Sequence, residues 1–246
     1  MAAYGSAHLV GSIPLRNAED ALEAAAHVLG ERALRLPDGE TGPRADWIVW
    51  QYPVLNACPE FEVCPPGHHP YQSLPRLRLR STTTDAVVLG ELGYVTAARV
   101  GYEIFSRLKR ERIVPAHCRF QISLPTPLSP IAAFIDPADQ SQVEPVYEQR
   151  LLEELDEILA VLPHDQLAIQ WDTNFEFAML VGELPCWFSD VRAGIVERLL
   201  RIGSRVPESV ELGYHLCHGH DRPYLPAGRD SRARVEIGRA SCRERV

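Results

Sequence analysis

The chain has 246 residues, 46% of them apolar, and a formal charge of −8. That length and composition allow one large domain with a buried core. The acidic balance argues against a nucleic-acid partner, which usually meets a basic stripe, and no run of about 18 apolar residues marks a membrane span.

The six cysteines form neither a CxxC pair nor the dense framework of a small secreted domain. The first residues, "MAAYGSAHLVGSIP", lack the basic and long apolar regions of a signal peptide. A reducing cytoplasm is therefore the expected location.

In chain order, "AHLVGSIP" (7–14) is an apolar run stopped by Gly, Ser and Pro, which predicts a strand and a turn. Asn17 is placed to cap a helix whose apolar positions Leu22, Ala25, Ala26 and Leu29 keep helical spacing up to Gly30. "RALRLPDGE" reads as a second strand running into a polar loop, and "RADWIVWQYPVL" as a helix ending near Pro53. Residues 53–83 hold six prolines and read as an excursion from the core. Within it, "RLRLR" (76–80) alternates like an edge strand or hairpin arm.

A helical pattern runs from Asp85 to Arg112, with Gly93 and Gly101 each weakening it by about 1 kcal/mol. "RFQISLP" (119–125) is a third strand, and residues 144–163 form the clearest helix, with Leu151, Leu155, Ile158 and Leu162 on one stripe. "LAIQWD" (167–172) is the fourth strand. Ser189 caps a helix that ends at Gly203, and "SVELGYHLC" (209–217) is the fifth strand.

Strands alternating five times with helices imply a parallel sheet, the start of either a doubly wound sheet or a (β/α)8 barrel. Polar residues fall at the C-terminal strand ends: Gly11 and Ser12, then Asp38, Gly39 and Glu40, then Pro125 and Thr126, then Asp172, then His215 and Cys217. In both architectures that end carries function, although strand ends also lead into loops that are polar anyway.

His215 and Cys217, two apart on a strand, point the same way and suit zinc, which needs more than two ligands. His218 and His220 lie beyond the strand and are expected to face solvent. Cys58, Cys64, His68 and His69 match no common zinc template and read as surface polar residues. Glu40 and Asp172 are candidates for holding an ammonium group or for acid–base work. Glu176 is either a satellite of that pair or exposed.

The ordered set "HLVGSIP", "DGETGPRADWIVWQ", "LAIQWD" and "YHLCHG" resembles the catalytic half of cobalamin-independent methionine synthase, over roughly residues 7–220. The resemblance implies a (β/α)8 TIM barrel, of which about five βα units are present in residues 1–228. It implies a zinc-dependent methyl transfer to a thiol such as homocysteine, with a methylated folate as donor. His215 and Cys217 would be zinc ligands, the others lying on later strands. Ser12, Glu40 and Asp172 would hold the amino-acid substrate.

"QWDTN" and "HLCHG" depart from that family's pattern after the aspartate and after the cysteine. The alternative is a non-catalytic barrel that binds a small acid or amino acid without zinc. The basic stretch 229–246 has no apolar periodicity, and its end, "EIGRASCRERV", resembles translated sequencing adapter. It is expected to be non-native or disordered, and the chain as it stands is expected to be an inactive, poorly stable fragment.

Overall fold

The computed structural model describes residues 5–65, 74–81 and 87–217. His68, His69, Asp85, His218, His220 and the 229–246 stretch lie outside them. The first half holds α1 (Ala18–Leu29), β1 (Arg35–Pro37), α2 (Gln51–Asn56), β2 (Phe61–Val63), β3 (Leu77–Leu79) and α3 (Tyr94–Arg110). The second holds β4 (Arg119–Pro125), α4 (Leu128–Phe134), α5 (Gln140–Val161), β5 (Leu167–Thr173), α6 (Phe175–Leu180), α7 (Val191–Gly203) and β6 (Glu211–Leu216).

The chain is a mixed α/β protein. β1, β4, β5 and β6 form a four-stranded parallel sheet in that order, and β2 and β3 form a separate antiparallel pair. The register sets Pro125 beside Asp172, and Asp172 beside His215.

Period-2 alternation divides the sheet's two faces. Phe120, Ile122 and Leu124 of β4 and Ile169 and Trp171 of β5 are buried in the apolar core. Phe105 of α3 packs on Phe120, with ring centroids 5.4 Å apart, and Tyr214 of β6 donates to Leu199 O of α7 at 2.9 Å.

The other face is polar and carries Arg35, Arg119, Gln121, Ser123, Gln170, Asp172, Glu211 and His215. Arg35 Nη2 lies 2.8 Å from Glu211 Oε2, and Arg119 Nε lies 3.1 Å from Glu211 Oε1. β1 and β6 are three steps apart, about 14 Å in a flat sheet. This ion pair closes across the polar face.

Residues 7–14 do not form the expected strand; Ala7 alone bridges to Ala33. The carbonyls of Leu9 and Val10 are taken instead by side chains of the polar face. Gln121 Nε2 donates to Leu9 O at 2.9 Å, and Gln170 Nε2 and Ser123 Oγ donate to Val10 O at 2.6 and 3.2 Å.

The 42–56 stretch is two short pieces, a 3-10 turn over Gly42–Ala45 and then α2. Trp47, at φ 31, breaks the helix between them. Pro53 does not end α2, because it occupies the first turn, where its missing N–H is not needed.

α3 begins at Tyr94 rather than near Asp85. Gly93 sits at φ 94, and the cap comes from another helix. Glu154 of α5, 1% exposed, accepts from the N–H groups of Leu92, Gly93, Tyr94 and Val95, and Arg150 lies 3.2 Å away. The cap of α7 is Asp190, whose Oδ1 accepts from Ala193 N at 2.9 Å, rather than Ser189.

Candidate functional site

The loop after β1 delivers Glu40. Gly39 at φ 83 and Glu40 at φ 47 are successive left-handed residues. A Cβ on Gly39 would lie 2.6 Å from Ala21 Cβ, so only glycine fits there. A non-glycine residue in that conformation is strained, and such strain gathers at functional sites. Ile13 N donates to Gly39 O at 2.8 Å and ties residues 7–14 to this turn.

That tie brings Ser12 to Glu40, with Oγ donating to Oε2 at 2.6 Å. A Cβ on Gly11 would lie 2.8 Å from Glu40 Oε2, so a larger residue there would displace the carboxylate. Arg44 does not pair with Glu40; it pairs with Asp38. Arg44, Trp47, Trp50 and Tyr94 line one small pocket together with Glu40 and Asp172. The Tyr94 hydroxyl in this wall is buried and faces that of Tyr147.

Asp172 ends β5. Its Oδ1 accepts from Gln170 Nε2 at 2.7 Å and lies 3.1 Å from His215 Nδ1. Cys217 lies near the same imidazole and interacts with it electrostatically. Asn174 Nδ2 donates to Cys217 Sγ at 3.5 Å. Glu176 is not exposed. It is 3% accessible, accepts from Thr126 Oγ1, and accepts from Asn174 N at 2.9 Å.

Burial pushes the Glu40 carboxyl up to about 7, with the Ser12 hydrogen bond working against it and the Asp172 charge adding to it. Burial also raises Asp172, against the hydrogen bonds from His215 and Gln170. His215 is raised to about 9, first by its hydrogen bond to Asp172 and then by Cys217. The site therefore holds a buried carboxyl group, Asp172, and a half-buried one, Glu40, that favour a cation, and an imidazole that stays charged near neutral pH.

A metal fits part of this set. An imidazole beside a thiol is suitable donor chemistry for zinc. A carboxylate on the ring nitrogen of a ligand histidine is the usual supporting arrangement. Among the described residues, no group of three or more His, Cys, Asp or Glu could hold a metal ion. Cys58 and Cys64 of the rival cluster are free thiols, and burial raises both.

Ser12, Glu40, Asp172, His215 and Cys217 thus belong to one linked cluster. Gln170, Asn174 and the aromatic wall were not singled out from the sequence. Period-2 spacing puts Gln170 on the face of Asp172, a signal present in the sequence. Asn174 and the wall depend on loops and on contacts distant in sequence. Among the described residues, no helix is long and apolar enough to cross a membrane. No protein-family model, curated protein or solved structure matches the chain.

Proposed function

We propose that the chain carries the substrate site of a zinc-dependent methyltransferase acting on a thiol such as homocysteine, of the cobalamin-independent methionine synthase type. The observation that carries the reading is the linkage of Ser12, Glu40, Asp172, His215 and Cys217, which come from four separate chain segments, at one end of a parallel sheet.

A barrel architecture is part of the proposal. Two features support it: the strands follow one another in chain order without reversal, and Arg35 and Glu211 meet across the polar face.

Glu40 and Asp172 would receive the substrate ammonium, whose charge offsets their burial. Ser12 orients Glu40. His215, held by Asp172, and Cys217 would hold the zinc. A bound zinc keeps a coordinated thiol deprotonated, and the thiolate is the nucleophile. Trp47 and Trp50 exclude water from the carboxyl groups.

Cobalt(II) titration in place of zinc tests the metal half. The wild type is expected to develop thiolate-to-cobalt charge-transfer absorbance that Cys217→Ser and His215→Ala both lose. Calorimetry with homocysteine tests the other half, with affinity expected to fall at least tenfold in Asp172→Asn. A band that survives both metal-site changes removes the zinc assignment.

The absence of a third metal donor among the described residues favours a second reading, a metal-free amino-acid binding site. Homocysteine binding that needs Asp172 but neither His215 nor Cys217 would select it.

A further inference from the structure

Asn174 begins α6 yet does not cap it. An asparagine at this position ordinarily turns its side-chain oxygen onto the N–H groups of the first helical turn. Here the side chain makes no capping hydrogen bond, and Nδ2 reaches Cys217 Sγ at 3.5 Å. The capping carboxylate is Glu176 instead, whose Oε2 accepts from Asn174 N at 2.9 Å.

Glu176 is itself fixed. It is 3% exposed, and its other oxygen accepts from Thr126 Oγ1. The backbone around the cysteine is fastened as well. Cys217 N donates to Thr173 O at 3.1 Å, and Thr173 Oγ1 donates to His215 O at 2.9 Å. The Cys217 backbone is thus tied to β5, and its sulfur meets the Asn174 amide on one side and the His215 imidazole on another.

We propose that Asn174 is the positioning residue for the Cys217 sulfur, and that Glu176 acts through it by fixing the Asn174 backbone. The inference deepens the thiol-activating reading by naming what aims its sulfur donor. The positioning itself needs no metal. A helix start that gives up its own side-chain cap has exchanged local stability for a contact across to the next strand. That exchange is expected where the contact matters to a site.

Asn174→Leu tests it, since leucine keeps the volume and removes the N–H donor; Asn174→Ala is the smaller control. Because the side chain caps nothing, melting temperatures should move little. A crystal structure of metal-free Asn174→Leu should show the Cys217 sulfur in a different rotamer from the wild type. Cobalt(II) affinity should fall about tenfold or more, with a shifted charge-transfer band, as for other residues that support metal ligands.

An unmoved sulfur in the variant crystal overturns the proposal. So does a band abolished by Cys217→Ser but untouched by Asn174→Leu, a result that would leave the zinc reading standing. A sulfur that moves in a protein whose wild type shows no thiolate–cobalt band supports the positioning role and removes the zinc reading instead.

Discussion

Two kinds of carboxylate stand in contrast in this protein, one buried and saturated, the other half-buried and nearly bare. Glu154, deep between α5 and α3, is saturated: four backbone N–H groups and Arg150 surround it. Glu144 is likewise met by Arg198 and by Trp187 Nε1. Glu40 has one hydroxyl, from Ser12, and Asp172 as a like-charged neighbour. Its nearest arginine, Arg44, is engaged with Asp38.

Folding alone produces carboxylates of the first kind, because an unsatisfied buried charge is costly. A carboxylate of the second kind lacks a cation of its own, which is the place the proposed ammonium ligand would take. The contrast separates scaffold from site more sharply than burial does.

The largest test removes a scaffold carboxylate. Glu154→Ala leaves four N–H groups without their acceptor and Arg150 without its buried partner. The expected loss is about 3–5 kcal/mol of unfolding free energy, measured by urea denaturation. A loss under about 1 kcal/mol would show that the saturation is incidental and would blunt the contrast.

The second test uses pH. Glu40 rises from 4.5 to about 7 on folding, so the folded state holds the proton more tightly than the unfolded state between those values. Stability from this group is full below about pH 4.5 and declines as pH climbs to about 7, by at most about 3 kcal/mol. Asp172 and Asp38 reinforce the rise, while Ser12 and Arg44 oppose it.

Glu40→Gln should therefore flatten the stability profile between pH 5 and 7 and be at least as stable as the wild type at pH 8. An ammonium ligand favours the ionised carboxylate, so wild-type affinity for homocysteine should rise from pH 6 to 8, and that rise should vanish in Glu40→Gln. A variant that keeps the wild-type pH slope would assign the effect to another group.

Much of the scaffold is legible in the sequence, because period is a local signal. β4, β5, β6, α1, α5 and α7 all follow from spacing, and the cap of α1 from Asn17. Two of the failures share one physical cause, partners distant in sequence. Residues 7–14 have strand composition, but their carbonyls go to Gln121, Ser123 and Gln170. α3 starts where Glu154 of another helix permits. The short α4 and α6 carry too few turns for a periodic signal.

The site was legible as a set of polar strand ends. Its wiring was not. Asp172 was expected to be open to a substrate, yet its Oδ1 is shared by Gln170 and His215. Nothing in the residue spacing distinguishes a carboxylate with one partner from one with five.

The smallest effect comes from Ser12. Its hydroxyl is the one side-chain hydrogen bond holding the ionised form of Glu40 down. Ser12 is exposed, so losing that bond should cost only about 0.5–1 kcal/mol at pH 8. The informative quantity is the position of the pH break. Ser12→Ala removes a stabiliser of the carboxylate, so the fall in stability should extend to higher pH than in the wild type. Double substitution with Glu40→Gln should erase the difference, because no titration is left to displace. If Ser12→Ala instead shifts the break downward, the hydroxyl is donating elsewhere, and the pairing of Ser12 with Glu40 is not what sets the charge of the site.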